Sequence, residues 1–341
     1  MSTRRIYKFH KWSGLIAGFF ILLLGLTGSI LAFHEELESL ENRAARSVNS
    51  GNPVNINRAL QTVITSYPGW DTRLLQFSSD PKKSLVFQLR RPDDRLVIFV
   101  HPSEGKIIKV TKQEDSRVFW ILKLHYSLHS GIIGEIILFL AGLLFIISLI
   151  TGLVVYRKAL FKVLTFRTRF ISKHKRSVSS SLHRYIGVWA LIFNLIMALT
   201  GTVISYEVVK NGLKAQKTAP LSNPSVTISI DSTLKELAVK QPQFTPSYIR
   251  FPTAPGNPVI FAGRLSDQAY FYSKFYNTIS VDAISGKISE LQITRSLSSL
   301  VRGIHFIEYG NLFIKLFFCL VGLSAPLLSI TGFLLWKWKK K

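Results

Sequence analysis

The sequence predicts a membrane α-helical four-helix bundle carrying two small α+β domains outside the membrane, built as an internal two-fold repeat. Three observations predict it: four long apolar stretches, basic charge gathered in alternate connections, and a chain that matches itself in two halves. Over 341 residues, 48% are hydrophobic and the mean hydropathy is +0.26, too apolar for a disordered chain. A single cysteine, Cys319, excludes an intrachain disulfide, a Cys-x-x-Cys redox pair and a covalent haem-attachment motif. The net charge of +24, from 43 Lys and Arg against 19 Asp and Glu, would point a soluble chain toward nucleic acid. Here its placement follows membrane topology, and no nucleic-acid partner is expected.

In chain order the elements are a cytoplasmic start (1–13), a first span (14–34), a first outward domain (35–117) and a second span with its lead-in (118–156). A basic cytoplasmic loop (157–185) and a third span (186–206) follow. A second outward domain (207–302), a fourth span with its lead-in (303–336) and a cytoplasmic tail (337–341) complete the chain. Each apolar stretch reaches the roughly 20 residues that cross a hydrocarbon layer of about 30 Å. The first is an anchor and not a cleaved signal, since the run is too long and no small-x-small site follows it. The positive-inside rule orients them. The start holds Arg4, Arg5, Lys8 and Lys11 with no acid, the 157–184 loop holds nine basic residues and no acid, and the tail adds Lys337, Lys339, Lys340 and Lys341. The segments around Gly51 and Asn223 mix signs and face outward. That arrangement is the one expected of a multi-pass membrane protein in contact with lipid, with both termini in the cytoplasm.

Each outward segment begins with a helix-like pattern, Asn57 to Tyr67 and Ser232 to Gln241. Alternating strand-like runs follow, such as Ser84 to Leu89 and Leu96 to Val100. A helix on an antiparallel sheet is the economical reading of each.

Self-comparison ties the halves together. His10-Lys11-Trp12-Ser13-Gly14 recurs as His183-Arg184-Tyr185-Ile186-Gly187, and seventeen residues past each histidine stands Thr27-Gly28 or Thr200-Gly201. At an offset of 180, His125 maps on His305, Gly142 on Gly322, and Thr151-Gly152 on Thr331-Gly332. The turn at Val100 to Ile107 matches Val281 to Ile288, with His101 facing Asp282. The chain reads as one unit, span-domain-span, written twice in the same orientation.

Of eight histidines, six stand at or near span ends: His10 and His183 on the inner side, and His34, His125, His129 and His305 on the outer side. An interfacial histidine ordinarily anchors a helix end, but six in two groups match two metal centres stacked across a bilayer. A zinc or copper site would want carboxylates or thiolates nearby, whereas haem suits two imidazoles flanking an apolar, glycine-lined slot. Gly14 and Gly187, one turn beyond His10 and His183, leave room for a flat macrocycle or for close helix packing. Lys11 and Arg184 stand where haem propionates would fall. In the outer group, His125 and His129 are one turn apart, and the repeat sets Tyr309 opposite His129 and Glu207 opposite His34. Depth favours His34 and His129 as ligands with His125 and His305 at the exit edge; repeat symmetry favours His125 and His305. The sequence reading leans toward depth.

The run from His10 through Thr27-Gly28 to Phe33-His34-Glu35-Glu36 carries a family resemblance together with Leu124 to His129, Thr151-Gly152-Leu153 and the Val281 to Lys287 strand-turn. These residues resemble the PepSY-associated transmembrane helix family over nearly the whole chain. Such proteins resemble bacterial inner-membrane, iron-regulated ferrisiderophore reductases of the FoxB type. The resemblance implies two non-covalent haem b groups between four helices, two periplasmic PepSY domains, a quinol or cytoplasmic electron donor, and reduction of a ferric siderophore or other ferric chelate. The contrasting reading is a non-redox membrane-anchored PepSY protein that binds and regulates a peptide or envelope protein. A haem Soret band separates the two.

Overall fold

The computed structural model describes residues 2–92, 94–214, 226–269, 271–307 and 311–338, and its contacts divide them into a helical unit and a sheet unit. Tyr309, Asn223 and Lys339 to Lys341, which entered the sequence reading, lie outside the described residues.

Helices α1 (Thr3–Leu31), α2 (His34–Glu41), α3 (Arg43–Arg46) and α4 (Ile56–Ser66) come first. Next are α5 (Arg117–Ser127), α6 (Gly131–Tyr156), α7 (Leu160–Leu164), α8 (Lys175–Trp189), α9 (Leu191–Leu213) and α10 (Ile230–Lys240). The last are α11 (Leu297–Phe306), α12 (Leu312–Gly322) and α13 (Ser324–Lys337). Four helical stretches are long and apolar enough to cross a membrane: Thr3–Leu31, Gly131–Tyr156, Leu191–Leu213 and Leu312–Lys337. The chain is a membrane protein with a separate antiparallel sheet. In the helical unit α1 packs along α6 and α13, α6 along α9, and α13 along α8, so the spans close into a ring of four.

The bundle is packed as membrane helices pack, small and polar inside and apolar outside. Ser13, Ala17, Thr27, Ser29, Ser148, Asn194, Thr200, Thr202, Ser324 and Thr331 are buried, while Phe19, Leu140, Ile192 and Leu320 are exposed. Asn194 Nδ2 donates to Ser324 Oγ at 2.9 Å inside it. At Gly25 a Cβ would stand 2.3 Å from Pro326 Cδ, so only glycine lets the proline turn of α13 approach α1. The third stretch steps at Ala190 between α8 and α9 while its backbone bonds continue, Ala190 N–H to Ile186 O and Asn194 N–H to Ala190 O.

The sheet unit departs from the expectation of two separate domains. Strands β1 (Asp71–Gln76), β2 (Leu85–Arg90), β3 (Arg95–Val100), β4 (Ile107–Lys112), β5 (Phe244–Arg250), β6 (Val259–Leu265) and β7 (Asn277–Val281) form one seven-stranded sheet in the order β4-β3-β2-β1-β5-β6-β7. Each half does supply a helix followed by an antiparallel meander, as its pattern predicts. The halves then join through β1 and β5, with Arg73 opposite Arg250 and Leu74 opposite Ile249. Pairing these first strands removes two open sheet edges. One core serves both halves: Leu60 and Val63 of α4, Leu237 of α10, Phe87, Ile98, Phe261 and Ile279 are fully buried together.

The two helix starts cap each other across the halves. Asp231 accepts from Ile56 N–H and Asn57 N–H at 3.0 Å each, and Asn57 Oδ1 accepts from Ile230 N–H at 2.6 Å. These are the orphan donors that every helix N-terminus must satisfy. The matching turns also share a device despite their different residues. His101 Nδ1 accepts from Glu104 N–H at 3.2 Å, and Asp282 Oδ1 accepts from Ser285 N–H at 2.7 Å. The Ser285 and Ile284 bonds hold the Asp282 carboxyl below the usual carboxylate range. Gly105 and Gly286 turn the chain at φ +70° and +73°.

Candidate metal centres

Two pairs of imidazoles face each other in the helical unit. His10 and His183 have ring centres 6.2 Å apart, and His125 and His305 have ring centres 6.5 Å apart. Each ring is seated on the helix that neighbours it in its own half of the sequence. His10 Nδ1 bonds Ser148 O at 2.9 Å and His183 Nδ1 bonds Thr331 Oγ1 at 2.9 Å. His125 Nδ1 bonds Thr27 Oγ1 at 2.8 Å and His305 Nδ1 bonds Thr200 Oγ1 at 3.1 Å.

These partners fix the tautomer. A carbonyl can only accept, so His10 carries its proton on Nδ1. The three threonine hydroxyls already donate to carbonyls one turn back, Thr27 to Leu23 O, Thr200 to Ile196 O and Thr331 to Leu327 O, so they accept from their histidines. In its neutral form each ring then leaves Nε2 unprotonated. Fixing a ligand ring through its other nitrogen is how metal-binding histidines are ordinarily held.

Below each ring lies the glycine of a Thr-Gly pair. A Cβ at Gly152 would stand 3.0 Å from His10 Cε1, at Gly332 3.3 Å from His183 Cε1, at Gly28 3.1 Å from His125 Cε1 and at Gly201 2.9 Å from His305 Cε1. With metal–nitrogen bonds of about 2.0–2.1 Å and about 1.1 Å from nitrogen to ring centre, two imidazoles sharing one ion stand about 6.3 Å apart. Both observed separations match it. No group of three or more His, Cys, Asp and Glu gathers among the described residues, so each pair fits an ion whose remaining ligands come from something other than the chain. Around His10 and His183 opens a cavity of ≈ 470 Å³ lined by Gly14, Gly18, Gly152, Gly187 and Gly332, and by Lys11, Arg176 and Arg184. That is the size of an ordinary ligand pocket, roughly 300–1,000 Å³.

Compared with known proteins, the chain matches the model described as the PepSY-associated TM region over residues 7–340. It belongs to that family. A search of the curated proteins finds no match.

The family chain brings together His10 with His183, as the sequence reading expected, and His125 with His305, against its lean toward depth. His125 and His129 do not share a helix face. α5 ends at Ser127, and Leu128 and His129 take φ +51° and +54°, so the turn before α6 carries His129 off the α5 helix. His34 sits three residues past the end of α1, at the start of α2, with Nδ1 bonded to Leu31 O at 3.1 Å. Gly14 and Gly187 line the cavity, and Gly14 also packs on Ser148, whose Oγ would be 3.0 Å from a Cβ there. Lys11 lies 4.5 Å from the Trp12 ring centre, and Arg184 donates to Arg169 O at 2.9 Å while its Nε is buried with no hydrogen-bond partner. The seats of the histidines, Ser148, Thr27, Thr200 and Thr331, were missed, although the repeated Thr-Gly pairs had been noticed. Arg176 and Tyr7, also on the cavity wall, carried no signal in the sequence.

Proposed function

We propose that this chain is a di-haem inner-membrane oxidoreductase that moves electrons from a quinol or cytoplasmic donor to a ferric chelate, such as a ferric siderophore, on the outer face, where ferrous iron is released. The observation that carries the reading is the pair of imidazoles, repeated twice, each with Nδ1 hydrogen-bonded to its neighbouring helix and the two ring centres at the separation two imidazoles sharing one ion would have. Along α1, His10 and the Thr27 seat of His125 are 17 residues apart, so the pairs are stacked roughly 26 Å apart along the bundle. Two haem b groups, when bound, supply one-electron carriers at these levels.

The chain's own residues supply the rest. His10 with His183 and His125 with His305 would hold the two haem irons, and the second pair replaces His34 and His129 in that role. Ser148, Thr27, Thr200 and Thr331 hold the rings in the ligating tautomer. Gly14 and Gly187 widen the inner cavity, and Lys11 and Arg184 offer cations to propionates, with the buried Arg184 Nε as a donor awaiting an acceptor. The positive-inside bias supports a cytoplasmic start, 157–185 loop and tail, with the sheet unit in the periplasm. Reduction works as a release step because hard oxygen ligands hold the ferric ion far better than the ferrous ion.

A pyridine-haemochrome count on purified protein tests this. Two haems per chain are expected, one lost in His10→Ala or His183→Ala and the other in His125→Ala or His305→Ala, with both retained in His34→Ala and His129→Ala. Protein without a Soret band would overturn the redox reading in favour of a membrane-anchored PepSY regulator. Loss of the outer haem in His34→Ala and His129→Ala, with retention in His125→Ala and His305→Ala, would reverse the ligand assignment.

A further inference from the structure

One face of the sheet is covered by α4 and α10; on the other, Ala45 of α3 packs on Val86 and Phe99, at the end of β2 and β3 away from Arg90 and Arg95. Leu74, Leu85, Phe87, Leu89, Leu96, Ile98 and Ile249 point into the shared core. Alternation then puts Asp71, Arg73, Gln88, Arg90, Arg95, Tyr248 and Arg250 on the opposite face. The register gathers the arginines. Arg90 stands directly opposite Arg95 on β3 and Asp71 on β1, and Arg73 stands directly opposite Gln88 on β2 and Arg250 on β5. Like charges directly opposed across strands destabilise a sheet, so two such pairs in one patch call for a compensating anion.

Among the described residues of these four strands, the register brings one carboxylate, Asp71, to that face, and it is already taken. Asp71 accepts from Arg73 Nη2 at 2.6 Å and Nε at 3.0 Å, while Arg73 Nη1 donates to Tyr248 Oη at 2.9 Å. Arg90 spends only Nε, on Gln88 Oε1 at 2.5 Å. Among the described residues, Arg95 and Arg250 make no side-chain hydrogen bond or ion pair. Burial, followed by the nearby Arg73 and Arg95 charges and only partly offset by Tyr248 and Asp71, pulls the Arg90 guanidinium down to about 10.

We propose that this arginine row docks a small anionic chelate of ferric iron, its carboxylate or catecholate oxygens taken by the spare guanidinium N–H groups of Arg90, Arg95 and Arg250. The inference rests on the ferric-chelate reading above and narrows its substrate to negatively charged complexes. Guanidinium forks match such oxygens in pairs. The row crosses β3, β2, β1 and β5, three strand spacings of about 4.8 Å, so it spans roughly 14 Å, the scale of a compact chelate. Neighbouring side chains leave the central Arg73 and Asp71 only 19% and 15% exposed, whereas Arg95 and Arg250 are exposed.

Calorimetric titration of gallium(III) citrate into the full chain, held in zwitterionic lipid nanodiscs, tests this without redox chemistry. Wild-type protein should bind it in a salt-sensitive way. Arg90→Gln and the exposed Arg250→Gln should each weaken binding about tenfold or more, and Arg90→Lys should recover part of the loss. A neutral gallium hydroxamate chelate should not respond to these substitutions. Unchanged citrate affinity in both Gln variants with native circular dichroism overturns the proposal, and so does loss of wild-type binding when anionic lipid is added to the nanodisc. Haem content is counted separately. Two haems without citrate binding sinks this inference alone, and citrate binding that depends on Arg90 and Arg250 in haem-free protein sinks the redox reading alone.

Discussion

Replacing the glycine beneath each imidazole by alanine grades the damage to the proposed haem sites. A Cβ contact becomes ordinary at 3.4 Å, and the new methyl would stand 2.9 Å from His305 at Gly201, 3.0 Å from His10 at Gly152, 3.1 Å from His125 at Gly28 and 3.3 Å from His183 at Gly332. The rings must therefore recede by about 0.5, 0.4, 0.3 and 0.1 Å. A retreat of about 0.5 Å is a quarter of a metal–nitrogen bond of about 2.0 Å, enough to weaken an axial ligand. It also pulls Nδ1 off its seat, and overpacking of this kind costs about 1–3 kcal/mol. Low-spin ferric signals by electron paramagnetic resonance, with haem counted by haemochrome, should fall in the order Gly201→Ala first, Gly152→Ala and Gly28→Ala next, and Gly332→Ala least. Gly51→Ala, whose Cβ meets nothing within 4 Å, is the control. If Gly201→Ala is spectroscopically the same as Gly51→Ala, the rings are not ligands held by these glycines.

Thr27→Val, Thr200→Val and Thr331→Val each remove the acceptor for a histidine Nδ1 proton, making that imidazole a weaker donor to the ferric ion. The midpoint of the affected haem should rise by roughly tens of millivolts in a potentiometric titration. Thr151→Val should shift the inner midpoint less, because Thr151 Oγ1 donates to Ile147 O at 2.6 Å and only at 3.1 Å to the Ser148 O that seats His10. Asp231→Ala removes two caps from the other half's helix and should cost about 1–3 kcal/mol. Hydrogen exchange at Ile56 and Asn57 reads that loss, and unchanged protection there would mean the cross-cap contributes little. Reporter fusions after Lys341 or within 157–184 should behave as cytoplasmic and one near Gly51 as periplasmic; an outward tail would break the four-span topology.

Much of this was legible because it depends on local pattern. Apolar length identifies the spans, alternation identifies β2 and β3, and repeat offsets pair His10 with His183. What escaped depends on where helices end and which edges meet. The lean toward His129 assumed that α5 continues one more turn, and the two positive φ values at Leu128 and His129 end it first. Neither residue is a glycine or asparagine that would have announced a left-handed turn. The single sheet was likewise hidden, because β1 and β5 each alternate as any edge strand does. Their union rests on only two paired positions, more than 170 residues apart in sequence.

The arrangement of the histidines also explains why the unit is used twice. Every ring is seated within its own half: His10 on Ser148 and Gly152, His125 on Thr27 and Gly28, His183 on Thr331 and Gly332, His305 on Thr200 and Gly201. Every ring faces a partner from the other half. One half alone thus offers two well-held imidazoles that belong to different sites, and neither site has its second ligand. The sheet follows the same logic, since Asp231 caps α4 and Asn57 caps α10 across the halves. Orientation of each imidazole is a local property of one half, whereas completion of each proposed metal centre would require both.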